Sequence, residues 1–170
     1  MSAVRKAAPP KIVAKGAPVP PPARVLRRFR VVFNAVKNHF REVEKKAGVA
    51  GAQLWALSVV HDCPGIGVSD LARAMDVHQS TASNLVRSLI ERNMVEVRKD
   101  ATDRRTVQLH LLPAGAKVLR RAPGPFAGVL PEALAALDAQ TLSRLDKDLG
   151  TLIDALGVDK HDAGIPLGQP

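Results

Sequence analysis

From Arg24 to Lys46 the apolar positions Val25, Phe29, Val32/Phe33, Val36, Phe40 and Val43 recur at steps of three and four. That spacing lays one stripe along a helix of about six turns, which Gly48 and Gly51 are expected to end. Leu54, Leu57 and Val59/Val60 predict a second helix from Ala52 to His61, and Asp62-Cys63-Pro64-Gly65 predicts a turn. A short helix over Ser69 to Met75, a tight turn at Asp76-Val77-His78 and a helix from Gln79 to about Arg92 follow. The rhythm then changes from helical to alternating. Val95 and Val97, then Val107, Leu109 and Leu111, point one way while polar residues point the other, so two strands flank a turn at Asp100–Arg104. Ile66-Gly67-Val68 is expected to add a short strand beside them. Pro113 suits the first position of a helix running over Ala114 to Arg121. Ala122-Pro123-Gly124-Pro125 breaks it, and Phe126 to Leu137 resumes in helical rhythm. Within Thr141 to Leu156, Leu142, Leu145, Leu149, Leu152 and Leu156 stand at alternating steps of three and four, a short coiled-coil-like seam.

Helix, turn, helix and hairpin in that order predict a winged helix-turn-helix, mainly α with a small β-wing. The predicted organisation is a Pro-rich basic arm over residues 1–23, a winged-helix domain over 24–157 and a disordered tail over 158–170. Within the domain, 66–112 form the reading head, and 24–47 and 113–157 form helices outside it. The stripes on those outer helices exceed what the head can cover. A second copy of the chain is the economical partner, so Phe29, Val36, Phe40, Leu142, Leu145, Leu149, Leu152 and Leu156 are expected to make a homodimer.

The helix over 79–92 has the chemistry of a groove reader. Ala82, Leu85, Val86 and Leu89 form its buried stripe, while Gln79, Ser80, Thr81, Ser83, Asn84 and Arg87 are the expected contacts to bases and phosphates in the major groove. Gln and Asn pair with adenine, Arg with guanine, and hydroxyls with either base or phosphate. An ordinary solvated helix face would instead be rich in Glu and Lys. In the wing, Arg105 is expected to enter the minor groove, with Arg98, Lys99 and Arg104 on phosphates and Asp103 holding an arginine or shaping the turn.

Charge supports this placement. The net charge of +9 is uneven: residues 1–47 carry +10, residues 69–121 carry +4 and residues 122–170 carry −4. A basic front and middle with an acidic rear suits a molecule that turns one side toward a polyanion. Composition adds little more. Four Phe, one Trp and no Tyr leave the core to Leu, Val and Ala, and a single cysteine, Cys63, excludes an internal disulfide and fits a reducing cytoplasm. No apolar run approaches the ~18 residues of a membrane span.

Val68-Ser69-Asp70-Leu71-Ala72, His78-Gln79-Ser80-Thr81-Ala82-Ser83-Asn84-Leu85-Val86, the wing Asp100-Ala101-Thr102-Asp103-Arg104-Arg105, and Leu112-Pro113-Ala114-Gly115 together resemble the multiple-antibiotic-resistance regulator (MarR) family. The resemblance spans residues 24–157. It implies a triangular obligate dimer whose two heads read a pseudo-palindromic operator in double-stranded DNA, by family habit as a repressor. It also implies relief by a small phenolic or anionic effector, or by cysteine oxidation. His78 departs from the pattern, standing where the family often has a Ser or Thr helix cap, and the basic arm is extra.

Other chemistries are weaker. His61, Asp62 and Cys63 are adjacent, so they cannot all converge on one ion, and no second pair has ligand spacing. No metal, cofactor or catalytic residue is expected, and the protein is not expected to be an enzyme. Trp55 is read as core, with a ligand pocket as the alternative. A DNA-coating protein indifferent to sequence, or a winged helix used only for protein contacts, are the competing functions. Arg98, Lys99, Arg104 and Arg105 disfavour the second of these.

Overall fold

The computed structural model describes residues 20–99, 107–158 and 163–167. In chain order its elements are α1 (Pro21–Ala47), α2 (Gly51–Asp62), α3 (Val68–Ala74), α4 (Gln79–Glu91), β1 (Val95–Lys99), β2 (Val107–Leu111), α5 (Pro113–Arg121), α6 (Val129–Ala135) and α7 (Ala139–Leu156). The fold is therefore mainly helical with one two-stranded antiparallel sheet, as the periodicities predict. The chain divides into two units, residues 1–33 and residues 34–170. The described part of the first is the opening of α1, where Phe29 stacks on Phe33 with ring centroids 6.1 Å apart.

Several boundaries differ from the sequence reading for local reasons. Helix α1 begins at Pro21, because proline in a first turn gives up an N–H that has no partner there anyway. Gly48 ends α1 in the left-handed region at φ +72°, whereas Gly51 opens α2. A Cβ on Gly51 would overlap the Phe40 ring, so the glycine is required by the close approach of α1 and α2. Val68 starts α3 and does not lie in a strand. The segment before it still pairs with the sheet, since Gly65 N–H donates to the Leu109 carbonyl and Leu109 N–H to the Ile66 carbonyl. The helix expected from Phe126 to Leu137 shrinks to α6. At α7 the cap is Asp138, whose carboxylate accepts from the Thr141 N–H at 2.8 Å and the Thr141 hydroxyl at 2.7 Å. Those bonds hold its carboxyl below the ordinary value.

The core of the second unit is aliphatic. Leu54, Leu57, Leu71, Met75, Leu89, Val95 and Leu109 are fully buried, joined by Val43 and Val49 from the α1–α2 junction. Burying each large side chain contributes about 1.5–3 kcal/mol. Helix α5 approaches this core through Gly115, where a Cβ would stand 2.5 Å from the Met94 carbonyl and 2.7 Å from Leu111 Cδ1. Helix α7, by contrast, has no buried residue.

Candidate nucleic-acid interface

Helix α4 is aimed by what surrounds it. Asp76 turns the chain after α3 at φ +50°, and Val77 N–H donates to the Ala72 carbonyl across the turn. His78 is the N-cap residue, and its side chain makes no capping bond. Ala82, Leu85, Val86 and Leu89 are buried, which fixes the rotation of α4 and leaves Gln79, Ser80, Asn84 and Arg87 exposed in one tract. Ser83 is half-buried, with its hydroxyl donating to the Gln79 carbonyl. Thr81 is a correction: at 9% exposure it belongs to the buried side and is turned away from the expected contact face. Its position, one residue before Ala82 on the packed stripe, accounts for this.

The far end of α4 is tied down by a polar knot that the sequence reading missed. Gln53 on α2 donates to the Ser88 hydroxyl at 2.7 Å and accepts from Arg92 at 3.1 Å, while Arg92 also donates to the Gly48 carbonyl at 2.6 Å. Gln53 further accepts from the Ala50 N–H. Reading-helix and α1–α2 junction are thus joined by directional bonds as well as by packing. No spacing rule could have found it, because the partners are 35 to 44 residues apart.

In the hairpin the register pairs Val95 with Leu111, Val97 with Leu109 and Lys99 with Val107. The five apolar residues do share a face, but Val97 and Val107 are exposed because the sheet projects beyond the core. Arg98 and Lys99 are exposed, and Arg98 is paired with Glu96 two residues earlier, its Nε 2.7 Å from the carboxylate. The sequence reading overlooked that partner. Asp103, Arg104 and Arg105 lie outside the described residues, as do the first 19 residues of the arm.

A cavity of about 420 Å³ adjoins the turn before α4, within the size range of small-molecule sites. Trp55, Met75, Val77, Phe126 and Leu130 line it, and among the described residues Asp76 is the one charged group in its wall. Val36 and Phe40, two of the residues expected at a dimer contact, also line it, and Phe40 packs against Gly51 and Gly128. Trp55 packs against the core, as expected, and also lines the cavity. Cys63 is exposed, and His61 pairs with its neighbour Asp62. Among the described residues no group of three His, Cys, Asp or Glu is placed to hold a metal, and no helix is long and apolar enough to cross a membrane.

Comparison with known proteins is decisive for kinship. A model of the MarR family matches residues 47–106, the α2-to-wing span just described. A protein of Thauera aromatica, described as a transcriptional regulatory protein for the hcr operon, is 32% identical over 132 residues, covering 77% of this chain and 74% of that one. The chain belongs to the MarR family. It is a transcriptional regulator, not an enzyme. Solved structures with the same fold include a MepR-like protein complexed with pseudoligands (18% identity, TM-score 0.54, 80% of this chain and 96% of that one). Another is the MepR–DNA complex of Staphylococcus aureus (19% identity, TM-score 0.52, 78% and 95%). In this MarR regulator the family match takes in both the exposed tract of α4 and strand β1.

Proposed function

We propose that this regulator is a homodimeric, sequence-specific repressor that reads a pseudo-palindromic operator. Helix α4 enters the major groove and the wing, residues 98–105, the minor groove, with Arg105 inserted and Arg98, Lys99 and Arg104 on phosphates. The observation that carries the reading is the exposed tract Gln79, Ser80, Asn84 and Arg87 on a helix otherwise packed into the core. Such a row presents bidentate and hydroxyl donors without competing surface acids until Glu91. Dimerisation is supported by exposed apolar surface among the described residues: Leu149, Leu152, Ile153 and Leu156 on α7, and Val25, Leu26, Val31, Val32 and Phe33 on α1.

The cavity suits a small effector that relieves repression. Of the phenolic or anionic effector that the family resemblance implies, its wall favours the neutral, aromatic kind, because Asp76 repels an anion and no cation lines the wall among the described residues. A selection of bound fragments from genomic DNA, repeated with Arg87→Ala, tests the function. A short palindromic consensus that loses information at particular base pairs in the variant supports it. Binding to all fragments alike would instead favour a protein that coats DNA without reading it.

A further inference from the structure

Residues 163–167 do not lie free of the domain. The N–H of His78, the residue that opens α4, donates to the Gly164 carbonyl at 3.2 Å. A Cβ built on Gly164 would overlap the His78 imidazole, so any larger residue there requires the ring or the segment to shift. Beside that contact, Ala163, Ile165, Pro166 and Leu167 form part of the wall of the cavity that Trp55 and Phe126 also line. This one segment therefore meets the cavity through four residues and the turn before α4 through Gly164. Pro166 lowers the cost of ordering such a segment, because its φ is already restricted in the unfolded chain. The hold is nonetheless light: Ile165 and Leu167 remain 47% and 65% exposed. Segments with so little burial open at low free-energy cost.

We propose that residues 163–167 are a lid built into this chain. Seated, the lid closes one side of the cavity and braces the His78 end of α4. An apolar ligand competes with Ile165 and Pro166 for the same wall, so filling the cavity lifts the lid and releases the brace. That last step rests on reading the cavity as an effector site; the seating of the lid does not. A lid closed nine-tenths of the time would weaken a ligand's apparent affinity about tenfold relative to an open cavity.

The test compares three chains: full length, full length with Gly164→Val, and a chain lacking residues 159–170. Trp55 is the sole tryptophan and lines the cavity, so its quenching by acrylamide reports the lid with no ligand present. Hydrogen exchange at the His78 amide reports the brace. In both altered chains the quenching constant is expected to rise roughly twofold and His78 exchange to accelerate, with circular dichroism unchanged. The neutral dye Nile red is expected to bind both about tenfold more tightly than full length. Equal quenching and equal His78 exchange in all three chains would overturn the lid, whatever the dye does. Nile red binding to none of them would instead overturn the effector reading, leaving Trp55 and His78 to decide the lid alone.

Discussion

On α4, neighbouring polar residues have different fates. Asn84 and Arg87 project from the packed stripe, whereas Thr81 turns into it. Asn84→Ala and Arg87→Ala are each expected to cost about 1–3 kcal/mol in operator affinity and to relax preference at particular base pairs. Thr81→Val is expected to act on folding stability and leave base preference intact. Titrating a set of single-base operator variants distinguishes the two behaviours. Arg98 poses a different question, because its guanidinium already has a carboxylate partner in Glu96. An exposed pair of this kind contributes little to stability, yet the carboxylate offsets the charge that Arg98 presents to a phosphate. Glu96→Gln is therefore expected to tighten binding to all DNA sequences alike. The plot of log affinity against log salt should steepen by about one, measured by fluorescence anisotropy.

Among elements, legibility followed periodicity. The stripes of α1, α2 and α4 and the alternation of β1 and β2 are repeated signals, and each appears where its spacing placed it, within a few residues. The α6 region failed because Pro131 and a glycine at positive φ, Gly128, confine the helix to a short span that apolar rhythm alone does not reveal. Val36 and Phe40 show what a stripe leaves open. A stripe says which residues want cover, not which neighbour supplies it, and here α2 and the Phe126–Leu134 region do so inside the chain. Which α4 residues lie exposed was legible from the packed stripe, apart from Thr81, and the knot of Gln53, Ser88 and Arg92 was not, since polar contacts between distant segments leave no local pattern. Gly115 matters at this scale because it sets the distance from α5 to the head. Gly115→Ala would force a methyl against the rigid Met94 carbonyl, for which no flexible side chain can yield. Despite the better helix propensity of alanine, the variant is expected to lose about 1–3 kcal/mol, read from its urea midpoint at unchanged slope.

For the whole molecule, the proposed pairing through α7 would turn protein concentration into a signal. Leu149→Asp would put a charge into the apolar contact proposed between two copies, costing several kcal/mol of association. Sedimentation at micromolar concentration is expected to give a monomer for the variant and a dimer for the parent chain; a monomeric parent would refute the pairing. Half of a dimer carries one reading helix and sees half an operator. Below the dimer dissociation constant the population of paired chains falls with the square of the total, so operator occupancy drops more steeply than the protein is diluted. Growth and division alone would then sharpen the transition from silent to expressed, with no ligand and no cooperation between separate sites. A promoter under this regulator would respond to how much of the chain a cell inherits.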